Sequence, residues 1–343
     1  MNMATLPDQT HNYVIKVGVI LENLIFSLNA TMPIFLLMVL GNVFKRINMI
    51  NEDASSFMNK FVFKVALPAL LFSDLAKQDF VGTWNPKFVL FCFVATICSI
   101  TLIWVLSRIF VKTPSRRGEF LQGSYRSSAA LLGIAFIHSI YGESSSGMAP
   151  LMILGSVPLY NIFAVIILTL TAPEYENSGD SSNNKGILIK KTIVGILKNP
   201  IIIGIVSGLL WSVFKIPIPK VVDTVVVDIG GLATPLGLMS MGASFDGRKA
   251  MQNVKPALVA SFIKLFLLVM IFMPIAIKLG FAGEQIVAIL VMLGSATTVS
   301  CFIMAKNMGH EGTLSSSIIM MTTFGCSFSL TFWLFILKTA GVI

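Results

Sequence analysis

Charge is the scarcest property of this sequence: only 12% of its 343 residues are Asp, Glu, Lys or Arg, about half the share of an ordinary soluble domain. With 55% hydrophobic residues and a mean hydropathy of +0.84, that shortage excludes a chain folding around one water-exposed core. Histidine is nearly missing as well. His11, His138 and His310 are scattered and offer no metal-ligand set. Cys92, Cys98, Cys301 and Cys326 each lie inside an apolar run, which excludes a disulfide framework and reads as packed thiols. No paired aspartates, nucleophile–base spacing or cofactor motif occurs, so neither an enzyme nor a cofactor is expected. The net charge of +9 does not imply nucleic acid, because the basic residues collect in short loops between apolar runs.

What remains is apolar and long. Ten runs, at 24–45, 57–76, 88–110, 118–141, 148–171, 199–214, 219–243, 256–279, 284–306 and 315–338, approach or exceed the roughly 20 residues a helix needs to cross a bilayer. The fold class expected is an all-α polytopic membrane protein of ten transmembrane helices, with the lipid bilayer as its first partner. The segments are 1–23 before the first span, five spans over 24–171, a polar linker at 172–197 read as cytoplasmic, and five spans over 198–343. The first run is too long for a signal-peptide core. The loops after odd-numbered spans carry fourteen basic residues, including Lys45, Arg46, Arg108, Arg116 and Arg117, against seven in the remaining loops and tails. Positive charge favours the cytoplasmic side, which places both termini outside, in a cell (inner) membrane.

The halves are related. Pro33, Gly41, Pro68 and Asp79 recur at Pro200, Gly208, Pro235 and Asp246, each pair 167 residues apart, and Gly142 and Gly309 keep the spacing. Five spans per copy is an odd number, so the copies enter from opposite sides. The expectation is a 5+5 inverted repeat, a plan recurrent in secondary transporters.

Spans 4 and 9 both begin Gly-Glu (Gly118-Glu119, Gly283-Glu284) and both hold small and hydroxyl residues at mid-span. In span 4 these are Ser127, Ser128, Ala129 and Ala130; in span 9 they are Gly294, Ser295, Ala296, Thr297 and Thr298. Such clusters allow close helix packing or a break whose freed N–H groups hold an anion. Their pairing at equivalent positions favours a site. Glu119 and Glu284 are read as residues at helix N-termini, explained by capping and the helix dipole.

Charges inside spans are the second pointer. Lys64, Arg126, Asp228 and Lys264 fall mid-span in spans 2, 4, 7 and 8, where each unpaired charge costs about 2.5–3.5 kcal/mol on the insertion scale. Three cations against one anion leave a positive excess that suits an anionic substrate. Arg126 abuts Ser127 and Ser128 and carries the fork that reads a carboxylate; the alternative is a structural pair with Asp228. Lys64, Asp228 and Lys264 are charge partners or site groups. Asn42 and Asn161, inside spans 1 and 5, are helix–helix hydrogen-bonding groups or site lining.

The strings "KFVFKVALPALLFSDLA", "LKNPIIIGIVSGLLW" and "ATPLGLMSMGASF", in this order and spacing, resemble the auxin efflux carrier family in its compact microbial form. The resemblance implies a ten-span inverted repeat similar to that of bile-acid sodium symporters, with helices 4 and 9 broken. It implies a scaffold of spans 1, 2, 6 and 7, often dimeric, and a transport domain of spans 3–5 and 8–10. It implies organic anion substrates: auxins in plants, dicarboxylates such as malonate or malate in microbes. The crossovers carry over to Arg126–Ala130 and Gly294–Thr298. Two departures stand out. Neither span 4 nor span 9 contains proline, and span 3 holds no internal acid or base, which leaves coupling to H+ or Na+ open. The expected function is a carrier of small organic anions by alternating access. A sodium-coupled symporter and a receptor that binds without transport are the alternatives.

Overall fold

The computed structural model describes residues 25, 29, 32–77, 84–129, 137, 140, 141, 148–172, 194, 195 and 197–343; among these the ordered elements are all helices. In chain order they are α1 (32–46), α2 (Glu52–Ala76), α3 (Pro86–Phe110), α4 (Pro114–Tyr125), α5 (Met148–Leu170), α6 (Pro200–Val213), α7 (Lys220–Ala243), α8 (Val254–Lys278), α9 (Glu284–Gly294), α10 (Ser300–Asn307) and α11 (Thr313–Thr339). A short helix, Gly247–Gln252, precedes α8. Of these, α2, α3, α5, α7, α8 and α11 are long and apolar enough to cross a membrane; α6 and α9 are shorter apolar helices. Ala130, Asp79, Gly142, His11, His138 and nearly all of segments 1–23 and 172–197 lie outside the described residues.

Local chemistry sets the helix starts. Asn51 accepts from the Ala54 amide at 2.7 Å, with Glu52 and Asp53 in the first turn. This cap begins α2 five residues before the apolar run, since a side-chain acceptor and first-turn acids stabilise the end of a helix that hydropathy alone does not mark. Asn85 and Asn199 cap α3 and α6 likewise, each followed by a proline at the first helical position.

Two packed groups result. In one, α6 and α7 lie along α2, and α1 crosses α7. The crossings depend on glycine. A Cβ on Gly41 would overlap the Met239 carbonyl, and one on Gly208 would come within 2.9 Å of the Phe72 carbonyl oxygen. Gly41 and Gly208 are 167 residues apart, and so are Phe72 and Met239: the sequence spacing reappears as two like contacts. Between α2 and α7, Ser55 shares hydrogen bonds with Ser240 (2.9 Å) and Ser244 (3.0 Å), polar links where apolar burial gives little drive. In the second group, α3 packs on α5, α4 on α3, α5 and α11, and α8 and α9 on each other and on α11. Outward faces carry large apolar side chains such as Leu36, Leu40, Val221, Val225, Phe324 and Phe328, as expected of a surface solvated by lipid tails.

Glu284 stands in the first turn of α9 as expected, whereas Glu119 lies inside α4 rather than at its start, and both serve a neighbouring helix. The Glu119 carboxylate accepts from the amides of Gly312 (3.0 Å) and Ser315 (2.8 Å), so it caps α11 rather than α4. Glu284 accepts from the Met148 amide at 3.0 Å and caps α5. Ser315 and Met148 are again 167 residues apart. A buried helix start needs an acceptor, and these carboxylates sit where a neighbouring chain entry comes closest.

Candidate functional site

Two helix ends meet in the second group. α4 stops at Tyr125, and Arg126 turns extended (φ −69°, ψ 138°). α9 stops at Gly294, Ser295 turns extended (φ −80°, ψ 166°), and α10 begins only at Ser300. The two interruptions lie side by side. The Ser128 amide donates to the Ala296 carbonyl at 2.9 Å. The Ser127 and Ser295 hydroxyls are 2.5 Å apart, and Ser127 also donates to the Val291 carbonyl at 3.0 Å. Thr297 Oγ1 donates to the Gly123 carbonyl (2.7 Å), and Gln122 Nε2 to the Cys301 carbonyl (2.8 Å). Hydroxyl and amide side chains of one segment thus satisfy carbonyls at the frayed end of the other, the requirement for non-helical backbone within a membrane. No proline is needed, because these side chains replace the lost helical bonds.

Arg126 is 2% exposed. Its Nη2 donates to Asn161 Oδ1 (2.8 Å) and Ser300 Oγ (3.0 Å), and its Nη1 approaches Met304 Sδ at 2.8 Å. All three partners are neutral, and Nε has no hydrogen-bond partner. Asn161 is oriented by donating its own Nδ2 to the Val157 carbonyl at 2.9 Å, which leaves Oδ1 for the guanidinium.

These groups line a cavity of about 120 Å³. One wall is Arg126, Ser127, Ser128, Asn161, Thr298 and Ser300; the other comes from α1, α2 and α7 and includes Asp74 and Thr234. Sequence reasoning missed Asp74, Tyr160 and Ser300. Asp74 does carry a signal: it is an acid two turns beyond Pro68 inside an apolar run. A second cavity of about 500 Å³, lined by Lys45, Lys60, Lys306, Asn59 and Asn307 with Glu52, lies at the far end of α10 from Ser300, roughly 10 Å along the helix axis.

The sequence-nominated residues divide. Arg126, Ser127, Ser128, Ala296, Thr297, Thr298 and Asn161 are brought together around the first cavity. Ala129, Gly294 and Ser295 are buried at the interruptions without lining it. Lys264 is buried behind them and bonds to backbone carbonyls. Lys64 and Asp228 are exposed on the outer faces of α2 and α7 and are not brought to Arg126. The two helices turn those positions outward, so Arg126 finds its partners in Asn161, Ser300 and Met304 rather than in Asp228. Asn42 donates to the Gly242 carbonyl at 3.4 Å and faces a different cavity. Among the described residues, no group of three or more His, Cys, Asp or Glu side chains could hold a metal ion.

Apolar helices of spanning length around a cavity lined by interrupted helices define a multi-pass membrane transport protein. Residues 26–334 match the family described as membrane transport protein, and the chain belongs to it, the auxin efflux carrier family. It is similar to an "Uncharacterized transporter" of Methanothermobacter thermautotrophicus, 20% identical over 308 residues, covering 90% of this chain and 97% of the relative. It is also similar to a Rhizobium meliloti protein named "Putative malonate transporter", 23% identical over 322 residues, covering 91% and 96%.

Proposed function

We propose that this protein is a secondary carrier of small organic anions, carboxylates above all, working by elevator-type alternating access. The observation that carries the reading is Arg126: a buried guanidinium on a cavity wall whose bonds end on neutral atoms and whose Nε is unsatisfied. A buried cation of this kind is strongly stabilised by an anion, and the guanidinium fork matches a carboxylate. Around the site, Arg126 and Lys264 outnumber Asp74 by one charge. Lys45, Lys60 and Lys306 at the larger cavity would concentrate anions at its mouth. The name of the Rhizobium relative points the same way.

The same reading takes the chain as ten spans in a 5+5 inverted repeat, with α4 and α9–α10 as its broken helices 4 and 9. The matched glycine contacts and the Glu119 and Glu284 caps support it. The scaffold is then α1, α2, α6 and α7, and the moving body is α3–α5 with α8–α11. The cavity has one wall in each. Lys64 and Asp228 lie outward on the scaffold, where lipid would cost each about 2.5–3.5 kcal/mol; a homodimer through that face relieves this. Both termini are assigned to the outer side of the cell (inner) membrane.

The test is exchange. Proteoliposomes preloaded with malonate are expected to take up labelled malonate, unloaded ones much less, and neutral or cationic solutes should not compete. Saturable binding without exchange would favour the receptor reading, and exchange that requires sodium would favour a symporter. A second expected result concerns Asp74. Asp74 puts a like charge on the wall of the anion's cavity, and a like charge nearby disfavours a bound carboxylate. Asp74→Asn should therefore tighten dicarboxylate binding at neutral pH. Weaker binding would show instead that the carboxylate helps hold the ligand.

A further inference from the structure

Lys264 sits inside the protein and touches none of the cavity. Its side chain is 0% exposed, and its ammonium donates to the Tyr125 carbonyl at 3.3 Å and the Met292 carbonyl at 3.1 Å. Tyr125 is the last residue of α4, and Met292 lies in the last turn of α9. Both carbonyls belong to helix C-termini, where acceptors lack intrahelical donors and the dipole is negative. Half-helix C-termini and unwound carbonyls of this kind are where transporters with broken helices hold an inorganic cation. Here an ammonium occupies that place and joins the two interruptions through one charge.

The placement is built into the fold. Lys264 lies in a π-helical turn, Ile263–Leu267, within α8. Such a turn widens the helix and frees a carbonyl. The Leu265 carbonyl accepts from the Trp333 indole at 3.0 Å, which fixes the turn against α11. A Cβ on Gly294 would lie 2.8 Å from Val269, and one on Gly325 2.8 Å from Leu265; glycine at both places lets α9 and α11 close on the lysine.

We propose that the Lys264 ammonium is a fixed internal cation standing in for a bound sodium ion at the crossing of the two helix interruptions, so that the site binds its anion without an inorganic cation. Lys264 is a positioning residue: it holds the ends of α4 and α9 in register so that Arg126, Ser127 and Thr298 face one space. The inference rests on the anion-carrier reading for the bound anion and for the second readout; the internal cation itself is tested by melting alone.

The experiment uses the full chain in detergent. Melting is followed in sodium chloride, choline chloride and methylammonium chloride at equal ionic strength, without any anionic ligand beyond chloride. The wild type should melt at the same temperature in all three. Lys264→Ala should melt several degrees lower in choline and recover on adding sodium or methylammonium, which can enter the vacated place. The second readout is malonate affinity. The wild type should bind equally in sodium and choline. Lys264→Ala should lose at least tenfold in choline and regain it with methylammonium.

A wild type stabilised by sodium over choline overturns the proposal, because the cation place would then be open. So does a folded Lys264→Ala indifferent to all three cations, which would make the lysine a plain tether. If the variant does not fold, the wild-type comparison still decides. If the wild type binds no malonate but the melting pattern holds, the carrier reading fails and the internal cation stands.

Discussion

Replacing Arg126 with alanine is expected to lower malonate affinity by at least a hundredfold while leaving the protein folded. Hydrogen bonds to charged groups contribute about 1.5–3 kcal/mol each, and each 1.4 kcal/mol is tenfold in affinity, so two lost bonds readily account for that drop. Stability should change less. The substitution leaves Asn161 Oδ1 without its donor, at about 1–3 kcal/mol for a group left unsatisfied, while Ser300 Oγ keeps the Thr298 hydroxyl at 3.1 Å. It also removes a buried charge whose desolvation was unfavourable, and the two effects oppose each other. Arg126→Lys should fall between, since it keeps the charge and loses the fork. Titration of malonate by melting shift, with the ligand-free melting temperature as the folding control, measures both quantities. Unchanged affinity in Arg126→Ala would remove this residue from the site.

The second large effect is expected where no substrate reaches. A Cβ on Gly242 would overlap the Met38 carbonyl, and one on Gly41 the Met239 carbonyl, so α1 and α7 pass with their backbones almost touching. A flexible side chain could yield; a backbone carbonyl cannot move without displacing its helix. Gly242→Val should therefore cost more than the usual 1–3 kcal/mol of overpacking. That corresponds to a melting temperature lower by more than about 5 °C, or to loss of the monodisperse protein. Gly231→Ala on the same helix, where nothing lies within 4 Å of the added Cβ, is the matched control. It should melt at or slightly above wild type, because alanine is the better helix former. Equal effects of the two substitutions would mean that the close crossing is not what holds α1 against α7.

Much of the candidate site is legible in the sequence. The helix interruptions at Arg126–Ser128 and Ser295–Val299 overlap the two small-residue clusters, because small and hydroxyl side chains are what permit and then repair a broken helix in lipid. Arg126 is legible as a charge that has to find polar company. Asp74 shows in the sequence as an acid in an apolar run, but its role does not, since that depends on which face of α2 turns toward α10, and the π-helical turn at Val62–Ala66 shifts that phase. For the same reason Lys64 and Lys264 look alike in sequence and end up opposite: each lies in a π-helical turn, one on an outer face and one fully enclosed.

The sequence by itself determined the membrane character and the helical class, which follow from local composition and periodicity, and drew attention to two small-residue clusters without fixing where the helices break. The 167-residue spacing also pointed to glycines that meet like neighbours. Tertiary structure alone decided which helix each acid serves. Glu119 and Glu284 were expected at helix starts; only Glu284 is at one, and both accept from amides that begin other helices, α11 and α5. It alone decided that the guanidinium of Arg126 meets Asn161 and Ser300 rather than Asp228, and that Lys264 spans both interruptions. Hydropathy is a property of segments, whereas the partner of a charge is a property of which segments come side by side.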